Sequence, residues 1–221
     1  MLAAAGLVLG PLLFLLDGVI DPAWADDDAA YLAEVASSRT AYITAELAST
    51  IGALLLIAGM VGVMRVMRGP RVTFGQVAAG VVTVGLIGLT GSLAFSVFDL
   101  AMAGFDDRGA MVELRAELQD SGPYRAFWLA FSAIATLGGL ILLAIALYRR
   151  RIVARWAPAA VCVAILLWYL GGSEQALYTA SWVLLSIAFA PLAARIWSLG
   201  DDAWAQWETR LGSEADGRNL S

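Results

Sequence analysis

A chain of 221 residues that is 60% hydrophobic and 15% charged, with a mean hydropathy of +0.76, is too apolar for a soluble globular domain of its length. It contains neither His nor Lys, which excludes bis-His haem, His-rich di-iron or zinc centres, Ser-His and Cys-His nucleophile pairs, and Schiff bases to retinal or pyridoxal phosphate. The net charge of −5 is informative through its sidedness rather than its size.

Apolar stretches of the roughly 20 residues needed to cross a hydrocarbon core fall near 2–20, 42–64, 73–102, 125–148, 153–171 and 175–198. The sequence therefore predicts an all-α fold, a polytopic membrane bundle of six transmembrane helices over residues 1–199, with short interfacial helices in the outer loops. The first stretch ends before Ala23-Trp24-Ala25, which resembles a signal-peptide cleavage site. No basic segment precedes it and Asp17 interrupts it, so a retained helix is expected.

After it, Asp28 is placed to cap a short helix carrying Tyr31, Leu32 and Val35 on one face, and Arg39 leads into the second span. Arg65, Arg68 and Arg71 follow that span, and Gly69-Pro70 makes a tight turn into the third. The next long connection repeats the pattern of the first, with Met111, Leu114 and Leu118 on one helical face and Ser121-Gly122-Pro123 as breaker. Arg149, Arg150, Arg151 and Arg155 follow the fourth span, Gly171-Gly172-Ser173 turns between the fifth and sixth, and Arg195 closes the sixth. Acids gather at Asp21, Asp26, Asp27, Asp28 and Glu34, and again at Asp106, Asp107, Glu113, Glu117 and Asp120.

Short arginine-rich loops stay on the cytoplasmic side during insertion. Both termini are accordingly expected in the cytoplasm of a bacterial cell, with the protein in the inner membrane and the acidic connections outside. No basic surface for nucleic acid is expected there. The tail 200–221 places Trp204, Trp207 and Leu211 at helical spacing for the cytoplasmic interface and reads as disordered from Ser213. Trp24, Trp156 and Trp197 fall where indole anchors settle. Internal repetition is faint, limited to two hairpins with basic elbows.

In layout, residues 5–198 resemble the uncharacterised six-helix bacterial membrane proteins grouped as a domain of unknown function. The most specific piece is Leu147-Tyr148-Arg149-Arg150 with Val153-Ala154-Arg155-Trp156, where Ala154 replaces the family's usual Pro. The resemblance implies fold and location only.

Asp17, Glu46, Asp99, Arg125 and Glu174 lie within or at the rims of the spans, toward one leaflet. Charge at membrane depth is costly, so each is expected to face protein or water. Helical spacing aligns Asp99 with Ser96, Ser92, Gly88 and Gly85; Glu46 with Thr50 and Ala53; Asp17 with Gly10 and Gly6; and Arg125 with Trp128, Ser132, Thr136 and Gly139. Gln175, Thr179, Trp182 and Ser186 form a similar strip on the sixth span, with Tyr178 beside it.

Two accounts fit. In one the strips are packing surfaces, with Arg125 or Arg39 paired to an acid. In the other they line an outward-open acidic cavity that binds a cation, a protonated amine or a proton. Trp128, Trp168, Tyr169, Tyr178 and Trp182 would then offer an aromatic wall to an organic cation, or else serve as belt packing. The leading expectation is a non-enzymatic assembly or interaction protein whose partners are the lipid bilayer, a second copy or another membrane subunit. The alternative is a carrier or binder of a cation or small organic ligand. A membrane enzyme holding a divalent metal is a third possibility, although no spaced Asp motif is visible. No cofactor and no resident metal are expected, and Cys162 reads as a small buried hydrophobe.

Overall fold

The computed structural model describes residues 1–67, 73–171 and 174–199. The expected turn at Gly69-Pro70, Arg68 and Arg71, the Gly172-Ser173 turn and the whole tail with Trp204, Trp207 and Leu211 lie outside the described residues.

Among the described residues the fold is helical throughout: α1 (Leu2–Ile20), α2 (Asp28–Ser37), α3 (Arg39–Val66), α4 (Thr73–Thr90), α5 (Ser92–Met102), α6 (Arg108–Asp120), α7 (Gly122–Phe127), a π-helical segment (Trp128–Gly138), α8 (Gly139–Arg149), α9 (Trp156–Gly171) and α10 (Gln175–Ser198). Five units are long and apolar enough to cross a membrane: α1, α3, α4 with α5, α7 through α8, and α10. The fifth expected span, α9, is apolar but has 16 residues, about 24 Å against a hydrocarbon core of about 30 Å.

The helices close a ring. α1 packs between α3 and α10, α3 against α4, α4 against the π segment and α8, and α9 between α8 and α10. Its interior holds Leu56, Met60, Leu86, Leu143, Trp182, Leu185 and Leu192, all at most 3% exposed. Its outside is studded with large apolar side chains, among them Leu9, Leu12 and Leu16 on α1, Leu47, Ile51 and Leu54 on α3, and Val77, Val84 and Ile87 on α4. A protein folded in water does not present an apolar girdle of that extent.

The α1–α3 crossing depends on missing side chains. A Cβ added at Gly52 would lie 2.9 Å from the Gly10 carbonyl oxygen, and one at Gly10 would lie 3.0 Å from that of Gly52. Small residues at such crossings let backbones approach, and van der Waals packing then holds helices together in an apolar solvent. Gly6 and Gly10, aligned in sequence with Asp17, thus serve the contact with α3. Gly85 and Gly88 abut Thr136 and Phe131 of the π segment.

Two expected spans are not single α-helices. At Gly91 the third turns tightly, with the Gly91 amide on the Gly88 carbonyl (2.8 Å) and the Ala94 amide on that of Gly91 (3.1 Å). The fourth changes to π pitch over 11 residues. There the Thr136 hydroxyl donates to the Phe131 carbonyl at 2.7 Å, five residues back. Both irregular stretches lie in the half of the bundle that carries α2, α6 and α7.

Those helices build a second, smaller core from Leu32, Val35, Tyr42, Met102 and Ala103, flanked by Tyr31, Met111 and Val112. Leu32 and Val35 bury as their spacing predicts. On α6 the packed face is Met111 and Val112, whereas Leu114 is 48% exposed; the expected Met111–Leu114–Leu118 stripe is therefore rotated. The cap of α2 is Asp27, whose carboxylate accepts from the Ala30 amide at 2.9 Å. Asp28, expected in that role, is released to bind elsewhere.

Candidate functional site

The site starts from α5. Asp99 sits near the end of this helix and receives the Nε of Arg115 at 3.1 Å and the Tyr31 hydroxyl at 3.2 Å. Arg115 comes from α6 and uses another nitrogen to bind Asp28, the first residue of α2. Its guanidinium also lies over the Tyr31 ring, 3.8 Å from the centroid, a favourable cation–π geometry. With its amide oxygen turned inward, Gln119 accepts from the same guanidinium at 2.9 and 3.1 Å. One side chain thereby joins three helices.

The planar fork of arginine suits this task, because each N–H points at a separate acceptor. Burial works against the charge on Arg115, yet Asp99, Tyr31 and Asp28 together hold its pKa above the ordinary value. Burial, reinforced by Tyr42 and Asp99, pushes the Tyr31 hydroxyl far up. Tyr31 is thus a neutral donor, and it also meets the Tyr42 hydroxyl at 3.1 Å.

Below this latch lie the other acids. Glu46 on α3 is half-buried and faces the Ser96 hydroxyl, with Asp21 and Asp99 as its charged neighbours. Asp17 on α1 is 8% exposed and accepts from the Tyr178 hydroxyl of α10 at 2.8 Å. Tyr178 belongs to an aromatic column: Trp24 and Trp168 lie 5.3 and 6.3 Å from it, and Trp182 at 6.2 Å stacks in turn on Phe14 at 4.0 Å. The indole N–H groups of Trp128 and Trp182 are buried without a well-directed acceptor, each close to a tyrosine hydroxyl, Tyr124 and Tyr178 respectively.

The connection from α1 to α2 seals the side of the cluster. Glu34 accepts from the amides of Trp24 and Ala25 at 3.0 and 3.2 Å, and Asp21 accepts from the Ala23 amide at 3.0 Å. Burial raises the Asp21 pKa to about 6, the Ala23 amide opposing and Glu34 adding to the rise. Gln175 reaches back to the Gly18 carbonyl at 2.8 Å, satisfying an orphan acceptor at the end of α1.

Of the residues singled out in the sequence, Asp17, Glu46, Ser96, Asp99 and Tyr178 lie in or around this cluster. Thr50 is half-buried one turn below Glu46. Ser92 turns its hydroxyl onto the Leu89 carbonyl at 2.6 Å, within its own chain turn. Gln175 serves the end of α1. Glu174 is exposed at the start of α10. Arg125 is not the partner of a span carboxylate: it pairs with Asp120 at 2.5 Å on an open surface. Arg39 donates to the Leu100 carbonyl at 3.2 Å. Ser132 lines a separate groove with Trp128, Trp168 and Tyr169, so the expected aromatic wall is split between that groove and the buried column.

Arg115 and Tyr42 were not singled out in the sequence, while Asp28 and Tyr31 were expected only as a helix cap and as part of an interfacial apolar face. The available signal was a basic residue one turn after Met111 and Val112 in an acidic connection. Among the described residues no group of His, Cys, Asp and Glu has a metal-holding arrangement. No family model matches the chain, and no curated protein and no solved structure matches it. The likeness to six-helix membrane proteins rests on layout alone.

Proposed function

We propose that the chain is a non-enzymatic membrane protein that acts by association with lipid, with itself or with another membrane subunit. The observation that carries this reading is the use made of its charges. Asp99, which would line an outward cavity, is bound by Arg115 and roofed by α2 and α6. Polar groups that hold a lid onto a bundle are architecture, and the apolar girdle is left as the surface for encounter.

In this reading α9 crosses as a sixth span, its short length matched by local thinning of the bilayer. Arg65, Arg149, Arg150, Arg155 and Arg195 face the bacterial cytoplasm with both termini, and α2 and α6 cap the outer side. A cysteine placed at Glu113 then labels with a membrane-impermeant maleimide on intact cells, and one at Arg151 labels only after permeabilisation. The reverse pattern would overturn the arrangement.

One observation favours a second reading, binding of a cation or small cationic ligand. Asp17 and Glu46 lie near one another, and the arginine closest to them in the cluster is committed to Asp99 and Asp28. Under it, Asp17→Asn with Glu46→Gln abolishes a ligand-dependent thermal shift without unfolding the chain. Under the first, the same pair lowers thermal stability and moves no ligand response.

A further inference from the structure

The ring has one loose seam. α8 packs along α9, whereas the π segment and α7 above α8 make no extended contact with it. The result is a cleft of about 700 Å³, bounded by Gln119, Asp120, Tyr124 and Arg125 at its rim and by Trp128, Leu129, Leu137 and Trp168 further in. Leu129 and Tyr169 are 59% and 74% exposed at its edges, so it opens sideways.

We propose that this cleft holds one zwitterionic phospholipid drawn from the bilayer, with an acyl chain along Trp128, Leu137 and Trp168 and its headgroup on Asp120 and Arg125. The inference rests on the membrane reading above. Three features of the cleft select this occupant. At membrane depth a lateral opening between helices is filled by whatever the surrounding solvent supplies, and that solvent is lipid chain, as apolar as the Leu side chains it meets. Charge is confined to the rim, at Asp120 and Arg125, and the wall further in is apolar and aromatic apart from the Ser132 hydroxyl, matching the one charged end of an amphiphile. The rim carries one cation and one anion, 2.5 Å apart and well exposed at 66% and 77%.

An exposed ion pair contributes little by itself, so its members are free to change partners. Arg125 offers a planar fork to a phosphate, and Asp120 accepts from an ammonium. An anionic lipid without an amine would meet the Asp120 carboxylate unpaired. Leu129, Ser132, Ala133 and Leu137 of the π segment supply one wall of the cleft.

The test uses the full chain in nanodiscs of equimolar phosphatidylethanolamine and phosphatidylglycerol, released gently for native mass spectrometry. The expected result is one retained phosphatidylethanolamine per chain, at least fivefold in excess over phosphatidylglycerol. Ala133→Trp fills the cleft and removes the lipid. Asp120→Asn with Arg125→Gln, both on the surface and harmless to folding, removes the preference between the two lipids. Equal retention of both lipids, retention unchanged in Ala133→Trp, or a dimer that Ala133→Trp dissociates would each overturn the proposal. Should Ala133→Trp fail to fold, the surface pair decides alone. Release of the chain from membranes by alkaline carbonate would defeat the membrane reading as well; a carbonate-resistant chain that retains no lipid defeats this inference only.

Discussion

The guanidinium of Arg115 stands 3.8 Å from the centre of the Tyr31 ring while its Nε donates to Asp99 at 3.1 Å, so the α6 side chain is clamped between α2 and α5. The side chain of Arg115 is 11% exposed and that of Asp99 16%. Removing one partner of such a pair leaves an uncompensated charge in a poorly solvated place, at a cost of about 3–5 kcal/mol. Arg115→Gln is expected to lower the thermal midpoint sharply and to expose α6 to protease. Arg115→Lys recovers part of the loss, because an ammonium cannot serve Asp99, Asp28 and Gln119 in one plane. Adding Asp99→Asn to Arg115→Gln costs less than the two changes summed, as a double-mutant cycle would show.

Asp21 gives the pH dependence a sign. Its folded pKa of about 6 exceeds the ordinary value of 3.8, so the folded state holds the proton more tightly than the unfolded one. The associated stability is present below pH 4 and is lost as pH rises through 6. Asp21→Asn keeps an acceptor for the Ala23 amide and removes the charge. Its stability relative to the parent is expected to improve by roughly 2–3 kcal/mol between pH 4 and pH 8. Thermal unfolding of both proteins across that range checks it; a gap that narrows with rising pH contradicts the burial of Asp21.

Close approach of α1 and α3 makes Gly52 intolerant of size. Gly52→Leu drives a side chain into the Gly10 carbonyl and Phe14, and overpacking of this kind costs about 1–3 kcal/mol. Gly80 is the internal control, since a Cβ there meets nothing within 4 Å. Gly80→Ala is expected to be neutral or to stabilise α4 by about 0.5–1 kcal/mol through helix propensity. Equal loss in the two variants, measured by thermal shift in detergent, would speak against the crossing.

Arg151 is the one described non-glycine residue with positive φ, at 53°. It ends α8 in a Schellman arrangement: the Arg151 amide reaches the Tyr148 carbonyl at 2.9 Å and the Ile152 amide that of Leu147 at 3.1 Å. A left-handed residue with a Cβ costs about 1–2 kcal/mol relative to glycine. Arg151→Gly is therefore expected to raise the thermal midpoint, with topology maintained by Arg149, Arg150 and Arg155. A decrease would mean that the Arg151 side chain contributes more than its backbone strain removes.

Much of the helical frame was legible in the sequence. Apolar runs of spanning length mark α1, α3, α4 with α5, α7 through α8, and α10, since a bilayer core asks only for length and apolarity. The alternation of arginine and acidic loops is likewise written locally. So were the acids themselves: Asp17, Glu46 and Asp99 stand out because a charge within an apolar run is rare and costly.

The partner of Asp99 was not legible, because it arrives from α6, a helix outside the apolar runs that spacing within the spans says nothing about. Arg125 and Arg39 lie nearer to spans and were the natural candidates, yet Arg125 turns outward to Asp120 and Arg39 to a carbonyl. The turn at Gly91 and the π pitch after Trp128 also escape helical spacing, which assumes a constant 3.6 residues per turn and so mis-registers Gly85 and Gly88 against Asp99. Sequence determined which segments are helical and apolar, because those properties are sums over neighbouring residues. Tertiary structure decided which charges meet, where the ring is sealed and where it gapes, because these depend on the relative placement of segments up to 161 residues apart, as for Asp17 and Tyr178.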